Sequence, residues 1–324
     1  MPANLTPDYE RAELRYRQAA SDADRLEALR EMLSLVPKHK GTEKIQADLK
    51  RKISQLRKSE ARKPAHGPDL FHVPKGGAGQ VVLTGPPNSG KSLLLSTTTG
   101  ASVKVADYPF TTAVPAPGMW RYEDVQIQLV DTPPLTSEHI VPGLMGTIRF
   151  ADVICIVVDA RLGLEQADMM LKTLGDKGLK LDSLPRAELD ASDANHYPAL
   201  IAANRADLAA PGDLETLAKL YQGVLEVIPL SAATGEGLTR LQRRLWQLLS
   251  VVRIYTKEPG KPPDHSKPFT LETGATVEDL AAEIHRELPK KMKFARIWGD
   301  GRFSGQHVHR TEVLHDKDIV EIHQ

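Results

Sequence analysis

The segment GPPNSGKS (residues 85–92) limits what this 324-residue chain can fold into more than any other feature of the sequence. It matches the pattern G-x-x-x-x-G-K-[ST] in full, and it stands between the apolar run VVLT and the helical pattern KSLLLSTTT. A strand, a glycine-rich turn and a helix in this order form a loop whose backbone N–H groups point at phosphate oxygens. A chance match in an ordinary glycine turn would lack the flanking strand and helix.

The same pattern predicts roles for individual residues of this loop. Lys91 is predicted to reach the β- and γ-phosphates of a nucleotide, and the hydroxyl of Ser92 is predicted to bind Mg²⁺. The predicted phosphate-binding residues are Gly85, Pro86, Pro87, Asn88, Ser89, Gly90, Lys91, Ser92 and Leu93.

Short apolar runs alternate with helical patterns from residue 81 to about residue 251. These runs are VVLTG, VQIQLVD, DVICIVVDA, ALIAANRAD and VLEVIPLSA. The alternation predicts an α/β domain with a mainly parallel sheet. Residues 175–198 are longer than an ordinary connection and are interpreted as an insertion or a mobile loop.

The two ends of the chain follow other patterns. Residues 1–66 have helical periodicity, and residues 67–79 form a linker rich in glycine and proline. From about residue 252 the pattern becomes strand–strand–helix–strand–strand, which predicts a small separate α+β domain. The predicted division is therefore residues 1–66, 67–79, 80–251 and 252–324.

Two later loops indicate which base the nucleotide carries. In ANRAD, the carboxylate of Asp207 can accept two hydrogen bonds from the N1–H and N2–H₂ edge of guanine, which adenine does not offer. Asn204 would brace this loop, and Arg205 stands where a lysine is expected and can stack over a base. In PLSAATGEGL, the backbone of Ser231, Ala232 and Ala233 would meet the guanine O6. Three motifs in this order predict GTP rather than ATP.

Together these motifs resemble those of the Obg/DRG group of translation-factor-class GTPases. The resemblance covers GPPNSGKS, VADYPFTT, DTPP, NRAD and SAATGEGL in the predicted α/β domain. It continues in VRIYTKEPGKPPDHSKPF and GQHVHRTEVLHDKDIVEIH, which are similar to the C-terminal TGS domain of DRG proteins, a ubiquitin-like β-grasp module. The resemblance implies a P-loop GTPase domain between a helical N-terminal segment and a TGS domain.

The resemblance also implies several ligands of the metal ions. Thr112, with Thr111 as the alternative, would complete the Mg²⁺ shell when GTP is bound, and Asp131 would hold Mg²⁺ through water. Asn88 matches the residue that helps coordinate K⁺ in potassium-activated relatives, where the cation takes the place of an arginine finger. Lys91, Thr112 and Asn88 are therefore the predicted catalytic residues.

Two residues of VDTPPLTSEH depart from the usual D-x-x-G motif. Pro134 replaces the glycine whose N–H bonds the γ-phosphate, and Leu135 stands where many GTPases keep a water-orienting glutamine. The lost bond is worth roughly 1.5 to 3 kcal/mol, a tenfold to hundredfold loss of discrimination between GTP and GDP. The sequence therefore predicts a slow GTP-hydrolysing switch, and it leaves open a nucleotide-binding scaffold with negligible hydrolysis.

Charge and hydropathy leave the partner less defined. The chain has 42 basic and 42 acidic residues, so no global charge marks it as a binder of DNA or of membranes. No run reaches the roughly 18 to 20 apolar residues of a membrane helix, and the lone Cys155 lies in an apolar run, so a soluble cytoplasmic protein is expected. Eight basic residues lie in the last N-terminal helical pattern: Lys44, Lys50, Arg51, Lys52, Arg57, Lys58, Arg62 and Lys63.

That basic helix and the TGS-like domain are the predicted contacts to a ribosome or to RNA, although a solvated helix face would have the same composition. KKMKFARIW (residues 290–298) is equally ambiguous, because a nucleic-acid surface and a core strand both fit it. Six histidines lie beyond residue 252 without metal-ligand spacing, and they are interpreted as surface or RNA-facing residues.

Overall fold

A computed structural model describes residues 7–18, 22–36, 42–62, 70–100, 114–301 and 303–324 of the chain. These residues form two compact units, residues 1–69 and 70–324. Thr111, Thr112 and Lys63 lie outside the described residues, so the predictions made for them stay predictions.

The first unit is helical, as its periodicity predicts. Its helices are α1 (Pro7–Gln18), α2 (Asp22–Leu35) and α3 (Glu43–Arg62). Leu29 and Met32 of α2 and Leu49 of α3 are buried in one small apolar cluster. Of the basic side chains of α3, Lys50 and Arg51 are exposed, and Arg51 Nη2 lies 2.7 Å from Asp48 Oδ1.

The second unit contains two sheets and seven helices within its described residues. The strands are β1 (Gln80–Thr84), β2 (Ala116–Tyr122), β3 (Val125–Asp131), β4 (Val153–Asp159), β5 (Lys180–Asp182), β6 (His196–Asn204), β7 (Val227–Pro229), β8 (Val251–Thr256), β9 (Asp264–Glu272), β10 (Phe294–Trp298), β11 (Gln306–Val308) and β12 (Asp318–His323). The helices are α4 (Lys91–Thr99), α5 (Leu144–Phe150), α6 (Gly163–Asp176), α7 (Asp213–Leu220), α8 (Leu238–Leu249), α9 (Val277–Ile284) and α10 (Leu288–Lys291).

The larger sheet has the strand order β2-β3-β1-β4-β6, and both β5 and β7 pair with β6. All pairs are parallel except β2–β3, so the predicted α/β fold with a mainly parallel sheet is confirmed. Helices α5, α6 and α7 cover one face, and α4 and α8 cover the other. Two apolar layers therefore bury the sheet on both sides, as continuous apolar strands require.

The central strand β4 shows how its sequence alternates between these layers. Ile154 and Ile156 pack with the α5–α7 layer, whereas Cys155 and Val157 pack with the α4–α8 layer. Cys155 is fully buried, and burial raises the pKa of its thiol to about 12. The cysteine therefore serves as a small core residue, as the apolar run around it predicts.

Residues 175–198 form more regular structure than the expected insertion or mobile loop. They contain β5, which pairs in parallel with the start of β6, and a 3₁₀ turn at residues 186–188. Lys180 Nζ of β5 lies 2.6 Å from Asp193 Oδ2 and connects this strand to the turn before β6. The strand escaped prediction because three residues at a sheet edge carry too little periodicity to be recognised.

The smaller sheet has the order β11-β10-β12-β8-β9, and α9 packs against one of its faces. Only β8 and β12 pair in parallel, and the other pairs are antiparallel. The structure adds the short strand β11 to the predicted pattern. The expected single helix is also interrupted, because α9 ends at Ile284 and a separate turn, α10, follows.

Within the described part of the chain, no helix is both long and apolar enough to cross a membrane.

Candidate nucleotide site

The phosphate-binding loop joins the end of β1 to the start of α4 and requires glycine at two positions. A Cβ atom on Gly85 would lie 2.2 Å from the Val157 carbonyl oxygen, and one on Gly90 would lie 2.2 Å from Asn204 Nδ2. Gly90 also has a φ of 90°, which side chains disfavour. None of the described side chains caps α4, and the N-terminus of this helix directly follows the loop, a position that favours an anion.

Lys91 is folded back into this loop. Its ammonium donates hydrogen bonds to the carbonyl oxygens of Gly85 at 3.0 Å and Pro86 at 2.8 Å, and the residue is 6% exposed. Burial lowers the pKa of Lys91 to about 8, although the nearby Asp131 carboxylate raises it. The two carbonyl oxygens offer this buried cation only partial negative charge. A nucleotide phosphate would offer it a full negative charge.

Ser92 and Asp131 meet where α4 begins and β3 ends. The Ser92 hydroxyl donates a hydrogen bond of 2.5 Å to Asp131 Oδ2, and Asp131 is fully buried. Hydroxyl and carboxylate oxygens are the donors that Mg²⁺ prefers, so this pair fits the predicted metal. The third predicted ligand, Thr112, lies in the stretch 101–113 that the structure does not describe.

The segment that follows Asp131 is packed tightly against the phosphate-binding loop. Thr132 Oγ1 donates to the Leu83 carbonyl at 2.8 Å, and Leu135 is completely buried. The N–H of Leu135, the first one after Pro134, donates to the Gly85 carbonyl at 3.1 Å. The Leu135 N–H is the nearest group that could replace the missing N–H of Pro134, and it is already hydrogen-bonded to the phosphate-binding loop.

Asn204 connects three parts of the site through one buried amide. Its Nδ2 donates to the Ser89 carbonyl at 2.9 Å, and its Oδ1 accepts from the N–H groups of Ala232 and Arg205, each at 2.9 Å. The residue is 1% exposed. The hydrogen bonds of Asn204 thus join the phosphate-binding loop to both predicted base-reading loops.

The predicted base-reading residues lie at the ends of β6 and β7. Asp207 and Ala233 are exposed, whereas Ser231 is buried and its hydroxyl accepts a hydrogen bond of 3.2 Å from the Thr234 N–H. Arg205 has the left-handed φ of 60°, which turns the chain away from the end of β6. The exposed carboxylate of Asp207 remains accessible to the edge of a base.

Asp159, at the end of β4, was not predicted from the sequence. It pairs in register with Asn204 of β6, and its Oδ2 lies 2.5 Å from Arg205 Nη1 and 2.7 Å from Arg161 Nη2. Burial alone would raise the pKa of Asp159, but hydrogen bonds from both arginines lower it to about 2. Asp159 is an acidic residue directly after a run of buried apolar residues. A charge in that position needs a partner, and this is the sequence signal that would have identified it.

Comparisons with known proteins identify both parts of the second unit. The family described as 50S ribosome-binding GTPase matches residues 80–184, and the TGS domain family matches residues 252–324. Developmentally-regulated G-protein 2 of Arabidopsis thaliana is 28% identical over 92% of this chain and 90% of its own length. The chain is a GTPase with a TGS domain, and it is similar to the developmentally-regulated G-proteins.

Further relatives agree with this similarity. Ribosome-interacting GTPase 1 of Saccharomyces cerevisiae is 25% identical to the present chain. The match covers 94% of the present chain and 99% of the yeast protein. The crystal structure of a GTP binding protein from Pyrococcus horikoshii OT3 superposes with a TM-score of 0.53 at 19% identity, over 75% of this chain and 99% of that one. That likeness confirms the P-loop GTPase fold.

In this GTPase, most of the predicted site residues converge on the ends of β1, β3, β6 and β7. Pro86, Pro87 and Asn88 form the turn of the loop, and Asn88 is exposed with a left-handed φ of 59°. Leu93, the last residue predicted for the loop, is 38% exposed on α4. The roles predicted for these residues toward GTP, Mg²⁺ and K⁺ stay predictions.

The TGS sheet is fastened to the hairpin of β2 and β3 by Arg253, which sequence reasoning did not identify. The guanidinium is 2.5 Å from Glu123 and 2.9 Å from Asp124, the two residues between these strands. It also contacts Asp316, in the turn before β12, at 2.6 Å and lies 5.0 Å from the ring centre of Trp246. Because β3 ends at Asp131, this cluster connects the TGS domain to a strand of the nucleotide site.

Proposed function

We propose that this protein hydrolyses GTP to GDP and phosphate with Mg²⁺, as a slow cytoplasmic switch associated with the ribosome or its RNA. The observation that carries the proposal is the buried amide of Asn204, which joins the phosphate-binding loop to the two loops that would read guanine. This connection is what a protein needs to hold the base and the phosphates of one nucleotide together.

The chemistry proposed is in-line attack of water on the γ-phosphate. Lys91 would leave the carbonyl groups of the loop and pair with the β- and γ-phosphates, and the N-terminus of α4 would face the phosphate oxygens. Mg²⁺ bound by Ser92 and Asp131 would neutralise charge that develops on these oxygens. Asn88 would place K⁺ at the exposed side of the loop.

The proposed rate is slow because the residues near the reacting phosphate do little to position water. The side chain of Leu135, at the position of the usual glutamine, is buried and has no group that could hydrogen-bond to water. Pro134 has no N–H for the γ-phosphate, and the Leu135 N–H donates to Gly85. A nucleotide with three phosphates would have to compete with that bond to be sensed.

The bond between Leu135 and Gly85 also favours the second candidate function. A protein whose switch segment stays bonded to the phosphate-binding loop would bind GTP and GDP almost equally. It would then be a nucleotide-binding scaffold with negligible hydrolysis, and the nucleotide would stabilise a surface for RNA or protein partners.

Pro134→Gly separates these two functions. The variant restores an N–H near the γ-phosphate, so we expect its preference for a non-hydrolysable GTP analogue over GDP to rise about tenfold. Calorimetric titrations give both affinities, and GTP turnover is measured in K⁺ and in Na⁺, with and without ribosomes. Pro133→Gly is the control, because it adds equal backbone freedom one residue earlier.

Turnover by the wild type, faster in K⁺ than in Na⁺, supports the switch and the role of Asn88. Equal rates in the two salts would remove that role. Absence of turnover in the wild type under all conditions, with activity in Pro134→Gly, would establish the scaffold instead.

Asp207→Asn tests the proposed selection of guanine. The amide keeps one acceptor oxygen but replaces a charge-assisted bond, so we expect GTP affinity to fall about tenfold to a hundredfold. The change should leave the weak affinity for ATP as it is. Competition binding with both nucleotides measures this, and Leu208→Ala, at a neighbouring side chain that is 58% exposed, is the control. Equal loss of both affinities would assign Asp207 a structural role.

A further inference from the structure

Strand β10 exposes one row of its side chains on the face of the TGS sheet that α9 does not cover. Ala295 and Ile297 are fully buried in the apolar core beneath α9. Phe294, Arg296 and Trp298 alternate with them and so point to the opposite face. The segment KKMKFARIW therefore contains a strand with one row of side chains in the core and the other row on the open face of the sheet.

Three rings on that face form a column across neighbouring strands. Phe294 stacks on His307 of β11 with ring centres 4.2 Å apart, and on His323 of β12 with ring centres 4.4 Å apart. The planes differ by 23° and 16°, so the rings lie nearly parallel. Strand β11 is the edge of the sheet and His307 is exposed, so the column is open at its His307 end.

A second aromatic position lies at the other end of β10. The Lys257 ammonium lies 4.3 Å from the ring centre of Trp298. Phe303, in the loop between β10 and β11, is 84% exposed. Arg296 is exposed between the two aromatic positions. We call His307, Phe294, His323, Arg296 and Trp298 the aromatic face, and Phe303 lies in the adjoining loop.

Two basic side chains and one acidic side chain lie on the aromatic face, namely Lys257, Arg296 and Glu321. Glu321, an acidic side chain on it, is 4% exposed and lies 3.1 Å from Lys257 and 2.6 Å from His323. The cationic group of Arg296 remains exposed toward solvent, and Lys293 precedes the strand. Flat rings beside exposed cations complement stacked bases joined by phosphates, whereas a partner helix would need a continuous apolar surface.

We propose that the aromatic face binds an unpaired RNA segment, with one base stacked on His307 at the open end of the column. Arg296 then contacts a phosphate, and Phe303 stacks a further base. The choice of RNA rests on the proposed function, whereas the stacking surface rests on the geometry of this sheet alone. Stacking of this kind tolerates any base, so sequence preference is weak.

The test uses the full chain and a fluorescein-labelled single-stranded RNA of about ten nucleotides, followed by anisotropy. His307→Ala is expected to weaken binding about tenfold, and His307→Phe to restore it to within about threefold, because a ring without a charge still stacks. Arg296→Ala should make the RNA association constant less dependent on salt. The slope of its logarithm against the logarithm of salt concentration should fall by about the value of one phosphate contact. His309→Ala is the matched control, since this exposed side chain lies just past β11 and contacts Thr311.

Several outcomes would overturn the proposal. These are equal binding of an RNA duplex, an unchanged affinity of His307→Ala, or a loss in His307→Phe as large as that in His307→Ala. Equal binding of single-stranded DNA would overturn the assignment to RNA. Intrinsic GTP turnover is measured in parallel and should be unchanged in all four variants. RNA binding without turnover would therefore contradict the proposed hydrolysis and leave this proposal standing.

Discussion

Asn204→Ala should lower the affinity for GTP by about a hundredfold and the free energy of unfolding of the nucleotide-free protein by about 3 kcal/mol. The substitution removes an amide that makes three hydrogen bonds to the backbone, at Ser89, Ala232 and Arg205. Buried donors and acceptors that lose their partner cost about 1 to 3 kcal/mol each. We place the sum near the lower end because the half-buried Arg205 N–H can reach water.

The loss of nucleotide affinity has a separate cause. Without the amide, the phosphate-binding loop is no longer joined to the loops that would read the base. Nucleotide binding must then order the phosphate-binding loop and the predicted base-reading loops, and this ordering reduces the binding free energy. Urea denaturation measures the stability, and calorimetric titration of GTP and GDP measures the affinity.

Thr234→Ala is the control for Asn204→Ala. Thr234 is exposed in the same loop as Ala232, and its hydroxyl accepts only a long bond of 3.4 Å from the Glu236 N–H. We expect changes below about 0.5 kcal/mol there. If Asn204→Ala changed stability as little as Thr234→Ala, the amide would not be the connection between the loops.

Arg253→Ala should lower the free energy of unfolding by about 3 kcal/mol. Arg253 is 2% exposed, and its guanidinium bonds Asp316, Glu123 and Asp124 while lying over the Trp246 ring. Removing a buried partner typically costs about 3 to 5 kcal/mol. The smaller value applies because the side chains of the three acids are 29% to 50% exposed and regain water.

The Arg253 cluster should also make stability depend on pH. Hydrogen bonds from Arg253 and Lys317 lower the pKa of Glu123. Burial alone would raise the pKa of Asp316, but hydrogen bonds from Arg253 lower it overall. Carboxyl groups with a lowered folded pKa stabilise the protein above their unfolded pKa of about 4, and that contribution is lost as the pH falls through the folded value.

Urea denaturation between about pH 5 and pH 3 should therefore show a smaller loss of stability for Arg253→Ala than for the wild type. Lys317→Ala is the control at neutral pH. Its ammonium is 55% exposed and 3.2 Å from Glu123, so its removal should cost less than about 1 kcal/mol. If Arg253→Ala and Lys317→Ala lowered the free energy of unfolding equally, the burial of Arg253 would contribute nothing to stability.

The α/β fold and most of the candidate site could be predicted because their signals are local. A phosphate-binding loop is eight contiguous residues between a strand and a helix, and each base-reading loop is a short peptide after an apolar strand. Buried parallel strands have continuous apolar runs, which made β1, β3, β4 and β6 recognisable. Short edge strands such as β5 and β11 lack that signal.

The roles of Asp159 and Arg253 could not be predicted, because each depends on partners far away in the sequence. Asp159 meets Arg205 only because β4 and β6 are neighbours in register. Arg253 meets Glu123 and Asp124 only because the TGS sheet lies against the β2–β3 hairpin. Neither pairing has a periodicity that a single strand or helix could reveal.

The sequence by itself determined the phosphate-binding loop, the motifs predicted to read guanine and the loss of the N–H at Pro134, since these follow from residue types in contiguous segments. Only the tertiary structure decided what surrounds that proline. It placed the Leu135 N–H on the Gly85 carbonyl and the Asn204 amide between three loops. It also decided which side of β10 faces the core, because the position of α9 determines which row of an alternating strand is buried.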